Sequence, residues 1–211
     1  MIESLIKDKV DLEAAFESQI AGPLQSVLGK TLLAVTYQII ASDRNEFSVE
    51  QPNDTGVLIV ILCFDQTMIE ITPGWDKQLR SDGIYHHIQV VTTGKQGSKA
   101  AYNSDKLWEI APIHASPWQQ ALGKRLIGVE VTGLQGTPQA IRLSFSDLDI
   151  VIAVGYAGSD PTLSDLVIGD GDEILIFSEQ DWNSHANTHK QVWETLWMIS
   201  ATRRSKLMGN L

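Results

Sequence analysis

The chain is poor in cysteine and in positive charge, and it has no long hydrophobic run. Cys63 is the only cysteine, so no intrachain disulfide can form, which fits a reducing compartment. Lys and Arg together number 16 against 26 Asp and Glu, a net charge of −10. A protein that tracks nucleic-acid phosphates needs a cationic face, and that balance argues against one. The longest apolar run, Val57 to Phe64, has eight residues. About 20 are needed to span a bilayer, so no membrane partner is expected. Charged residues from Glu3 to Glu17 interrupt the first segment, which argues against a secretory leader. A cytoplasmic location is the expectation. No glycine-rich turn between strand and helix is present, nor a G-x-S-x-G elbow, so nucleotide cradling and that form of nucleophilic catalysis have no support.

What is present is an internal similarity. The segment GPLQSVLGKTLLAVTYQ from Gly22 aligns without a gap on SPWQQALGKRLIGVEVT from Ser116. Pro23 matches Pro117, Leu28-Gly29-Lys30 matches Leu122-Gly123-Lys124, and Val35 matches Val129. Further on, Phe64 set on Phe145 brings Val60, Leu62, Ile69 and Ile71 onto Ile141, Leu143, Ile150 and Ile152. The spacing predicts two pseudo-repeats, 21–93 and 115–179, within a single compact unit spanning 1–211.

In each copy a proline near the first turn and a glycine after the last bracket a short helix. Alternating apolar residues then predict a strand, a hairpin (57–64 with 67–72, and 139–145 with 149–155) and a fourth strand, 84–92 or 173–178. The expected class is α+β and β-rich: two antiparallel meanders, each preceded by a short helix. N-terminal and C-terminal helices pack on the sheet, the latter over about 187–205 from Val192, Trp193, Leu196, Trp197 and Ile199. Strand 57–64 is apolar on both faces, so both need cover. The terminal helices can supply it; a homodimer through this strand, in a scaffold or oligomer, is the alternative. In the second hairpin, Gln139, Arg142 and Ser144 predict one wet face.

Candidate chemistry is sparse. His185 and His189 stand four apart, so an early-starting helix would put both on one face, with Asp181 as a carboxylate neighbour. That set is the basis of an alternative reading, a metal-assisted hydrolase; exposed polar residues at a helix entry are the plainer one. His86 and His87 point to opposite faces of a strand, and His114 sits in a loop, which suits structural roles. Cys63 lies within apolar sequence, where a thiol is normally inert. Gly169-Asp170-Gly171-Asp172-Glu173 lacks the alternating acids of a calcium loop and reads as a tight turn. No cofactor and no catalytic set are expected.

The strongest signal outside the core is charge segregation. From Leu143 to His189 there is no Lys or Arg, while nine of the 26 acids fall there. A surface of one sign steers a partner of the other. The expected contact residues are Asp160, Asp165, Asp170, Asp172 and Glu173, with Trp118 and Trp182 as aromatic anchors. A solvated rim that keeps the protein soluble is the competing reading.

The order of short helix, LGK, strand, hairpin and the closing D-E-I-L-I-F strand (172–177) resembles small acidic bacterial immunity proteins found beside polymorphic toxins. The likeness covers 116–155 and 171–178. It implies a non-enzymatic protein that binds and blocks a basic toxin, often a nuclease, and assigns no individual residue a role.

Overall fold

The structure, a computed structural model, describes residues 14–40, 57–74, 87–93, 107–112, 116–134, 137–157, 166–169, 171, 173–189 and 193–201. Most described segments are strands, and they form two antiparallel sheets. The first contains β1 (Leu32–Ile40), β2 (Ile59–Phe64), β3 (Thr67–Gly74), β4 (His87–Thr93) and β5 (Leu107–Ile110), in the order β4-β3-β2-β1-β5. The second contains β6 (Gly128–Leu134), β7 (Thr137–Ser144), β8 (Asp149–Ala157), β9 (Leu166–Ile168), β10 (Glu173–Ser178) and β11 (Glu194–Ser200). Its order is β10-β8-β7-β6-β11, with β9 also paired to β8. Among the described residues helices are few: a π-helical turn at Glu17–Ala21 leads into α1 (Gly22–Val27), and α2 (Trp118–Ala121) and α3 (Glu179–His189) follow.

Alternation sets the registers. Val35 lies opposite Leu62, which lies opposite Ile69; Val129 lies opposite Leu143, which lies opposite Ile150. All six point into one core shared by the two sheets. Leu24 and Val27 of α1 and Trp118 and Ala121 of α2 plug that core, each at 0% exposure. A fully buried large aliphatic side chain contributes about 1.5–3 kcal/mol, so this shared core is the main cohesive term.

Among the described residues, two backbone links join the sheets. Ile174 N–H donates to Val57 O at 2.6 Å. The other link is a short crossing in which Thr31 and Arg125 form an antiparallel bridge. Leu32 N–H donates to Lys124 O and Leu126 N–H to Lys30 O, both at 2.9 Å. Gly29 N–H donates to Leu126 O and Gly123 N–H to Leu32 O, both at 2.8 Å. Each bond has a mate displaced by 94 positions (123 minus 29), so the crossing has an approximate two-fold. Gly29 and Gly123 make it feasible, because their φ of +80° and +78° is the left-handed helix-ending conformation that suits glycine.

The structure departs from the sequence reading in two places, the C-terminal helix and the outer face of the second sheet. Residues expected in a C-terminal helix form β11, while the helix ends earlier, at His189. A register shift between Thr195 and Trp197 puts the chain out of phase, and the resulting spacing of Trp193, Leu196, Trp197 and Ile199 imitates a helical stripe. Trp197 and Ile199, two apart, face the core. The second face of β2, with Leu58, Ile59 and Ile61 at 6%, 1% and 6% exposure, is buried within the single chain. In the second sheet the outer face is not simply wet. Ala140, Val151, Ala153, Leu175 and Phe177 form a smaller core with Trp182 of α3, and Gln139 is fully buried, its Nε2 donating to Gly169 O at 3.3 Å. Of the expected N-terminal helix, residues 2–12 lie outside the described residues; Ile20 is in the core.

Candidate functional site

The acids of the base-free stretch fall into two groups. Those nearest its ends are matched by basic or capping partners. Asp147 pairs with Lys124 at 2.5 Å, and that hydrogen bond, with a second from Ser146, holds its carboxyl below the usual range. Arg142, on β7, sits among three carboxylates: Glu179 at 3.3 Å, Asp149 at 3.4 Å and Glu130 at 3.7 Å. Glu130 on β6 is its direct cross-strand neighbour, Asp149 begins β8 and Glu179 opens α3, so one guanidinium ties three strands and a helix together. Asp181 accepts the Ser178 hydroxyl at 2.7 Å, and Ser178 Oγ accepts the Asp181 N–H at 3.2 Å. This reciprocal pair caps the N-terminus of α3.

The second group lies between β8 and β10. Glu173 begins β10, half-buried and opposite Gly155. Asp160, Asp165, Asp170 and Asp172 lie outside the described residues. Gly169 has φ +88°, and a Cβ on Gly171 would meet Gly155 O at 2.2 Å, so both positions call for glycine. Beside them, Tyr156 and Val167 face each other across β8 and β9, 48% and 47% exposed.

The tryptophans expected at a contact surface are inside. Trp118 is fully buried in the shared core. Trp182 is 6% exposed, packed edge-on to Phe177 at 5.5 Å and against Trp193 at 4.9 Å. An indole is the largest apolar filler available, and both rings are spent on the two cores. The exposed aromatic of this region is Tyr156 instead. Its signal in the sequence was its position at the end of an apolar strand, directly before an acidic segment.

Of the suggested metal set, Asp181 and His185 lie four apart on α3. His185 is 2% exposed, its ring tilted against Phe177 at 6.0 Å between centroids, so it is not a solvent-facing polar residue. The Asp181 carboxylate is engaged in the cap, and the His189 side chain lies outside the described atoms. Among the described residues no group of three or more His, Cys, Asp or Glu could hold a metal ion. His87 is fully buried and its ring lies against Gly74; His86 and His114 are outside the described residues. Burial pushes the Cys63 thiol up. No described helix is long and apolar enough to cross a membrane. The chain matches no protein-family model, and searches of curated proteins and of solved structures find no match.

Proposed function

We propose that this is a non-enzymatic binding protein whose segment 156–173 receives a basic partner protein. The observation that carries the reading is the exposed Tyr156–Val167 pair at the border of a segment with five acids and no base. Asp147, Asp149 and Glu179 have Lys124 and Arg142 as partners, while the sequence from 156 to 173 concentrates Asp160, Asp165, Asp170, Asp172 and Glu173 with no Lys or Arg, charge of one sign that steers a partner of the other. A tyrosine amid carboxylates suits a partner that presents Lys or Arg, through both charge attraction and cation–π contact. The likeness to immunity proteins supplies the class of partner, a basic bacterial toxin, and with it a cytoplasmic site of action.

The test uses poly-lysine as a basic probe, with isothermal titration at low and moderate salt. Replacing Asp160, Asp165, Asp170 and Asp172 together by Asn should abolish measurable binding, and Tyr156→Ala should weaken it. Glu17→Gln with Glu194→Gln, at exposed acids elsewhere, should leave it nearly unchanged. An equal loss from both sets would mean that bulk negative charge, not this surface, binds the probe.

The reading extends to the architecture: 21–93 and 115–179 are repeats of one unit. Supporting it are the matched cross-strand pairs Val35–Leu62 and Val129–Leu143 and the mated hydrogen bonds of the crossing.

A further inference from the structure

The crossing that joins the sheets has an outer face whose residues play no part in the binding surface above. Burial alternates along both of its strands. Leu32 and Leu126 are fully buried, while their neighbours Leu33 and Ile127 are 57% and 40% exposed. Thr31 is half-buried and Arg125 is exposed between them. Because the strands run antiparallel about the Thr31–Arg125 bridge, Leu33 and Ile127 stand at opposite ends of the ribbon. At about 3.4 Å per residue they are about 14 Å apart along it.

Across from each apolar knob is a gap. Gly123 N–H bonds to Leu32 O, which puts Gly123 beside the Leu33 end; Gly29 N–H bonds to Leu126 O, which puts Gly29 beside the Ile127 end. A Cβ added at either glycine would meet nothing within 4 Å. The face therefore carries two knobs on one diagonal and two open notches on the other. Turned over about the ribbon axis, a second copy sets its Leu33 above Gly123 and its Ile127 above Gly29. The same rotation sets Arg125 over Thr31 of the partner subunit. Asp65 is exposed there, its carboxylate accepting the Thr31 N–H at 3.0 Å. Shape and charge are both self-complementary under this operation, which is what an isologous contact requires.

We propose that the protein forms a two-fold homodimer through this ribbon, with Leu33 and Ile127 entering the glycine notches and Arg125 meeting Asp65 of the partner subunit. The contact differs from the one suggested by strand 57–64, whose second face is covered within the chain.

Sedimentation equilibrium of the full chain is the test. The wild type is expected at twice 23.3 kDa, dissociating on dilution. Leu33→Asp and Ile127→Asp each act twice in a symmetric dimer and should raise the dissociation constant about 100-fold or more. Met198→Asp, at a residue 58% exposed on β11, should change it by less than about threefold. Arg125→Asp should weaken the dimer about tenfold, and adding Asp65→Arg should restore it to within about threefold. Unchanged thermal midpoints for the diluted variants would separate lost pairing from lost folding. A wild type that is monomeric throughout, or a dimer that tolerates both Asp substitutions, would overturn the proposal.

Discussion

Gly74→Ala offers a direct measurement of how tightly the first sheet is packed. Gly74 ends β3 opposite His87, the first residue of β4, and the imidazole lies over it. A Cβ at position 74 would sit 2.1 Å from His87 Nε2, with Cδ2 and Cε1 at 2.6 and 2.7 Å. Reaching an ordinary contact of 3.4 Å moves the ring by 1.3 Å (3.4 minus 2.1). The ring is fully buried, so its surroundings must move as well. Overpacking of this kind costs about 2–3 kcal/mol. Restricting the unfolded chain by replacing glycine returns about 0.5–1 kcal/mol. The net loss is therefore about 2 kcal/mol, a shift of about 1 M in urea midpoint for a slope of about 2 kcal/mol/M. Urea titrations followed by tryptophan fluorescence measure it. In a His87→Ala background the clash is gone, so Gly74→Ala should there be neutral or stabilising. A cost under about 0.5 kcal/mol in the wild type, or an undiminished cost without the imidazole, would refute the reasoning.

Three further outcomes are expected. Gln66, in the β2–β3 turn, is the only non-glycine described residue with positive φ, at 59°. Gln66→Gly should stabilise by about 0.5 kcal/mol, the left-handed strain outweighing the entropy of glycine, and a lowered urea midpoint would contradict this. Ser178→Ala removes the α3 cap and should cost about 1 kcal/mol, with faster amide exchange confined to the first turn of the helix. Lys124→Met should let the Asp147 carboxyl titrate at a higher pH, as read by NMR. Its depressed folded value contributes stability above the unfolded value, lost as pH falls into the acid range, so the variant should show less of that acid dependence.

Strands whose apolar period was uninterrupted were legible. The fourth strand of the second half was expected at 173–178 and occupies Glu173–Ser178, because Ile174 to Phe177 is a run flanked by turn residues. The first hairpin was placed at 57–64 and 67–72 and forms at Ile59–Phe64 and Thr67–Gly74. β11 was not legible, since one extra residue in a bulge converts a strand period into an apparent helical one. The candidate site was less readable. Trp182 looked like a surface anchor because its buriers, Phe177 and Trp193, belong to a neighbouring strand and to the chain beyond the helix. Likewise the acids of 143–181 looked uniform, whereas Arg142 and Lys124, outside that stretch, neutralise several of them.

The crossing of 29–32 with 123–126 also bears on the order in which the chain acquires its structure. Most pairings within each sheet, such as β2 with β3 and β7 with β8, join neighbours in sequence and close short loops. The crossing closes a loop of 94 residues, at an entropic cost of about 4 kcal/mol plus a constant. That cost falls before any of its hydrogen bonds can form, so the local hairpins should nucleate first and the crossing should form late. Mutations in the crossing then act chiefly on the unfolding rate, leaving the refolding rate nearly as it was. The ribbon is thus a latch on the lifetime of the native state more than a guide to reaching it.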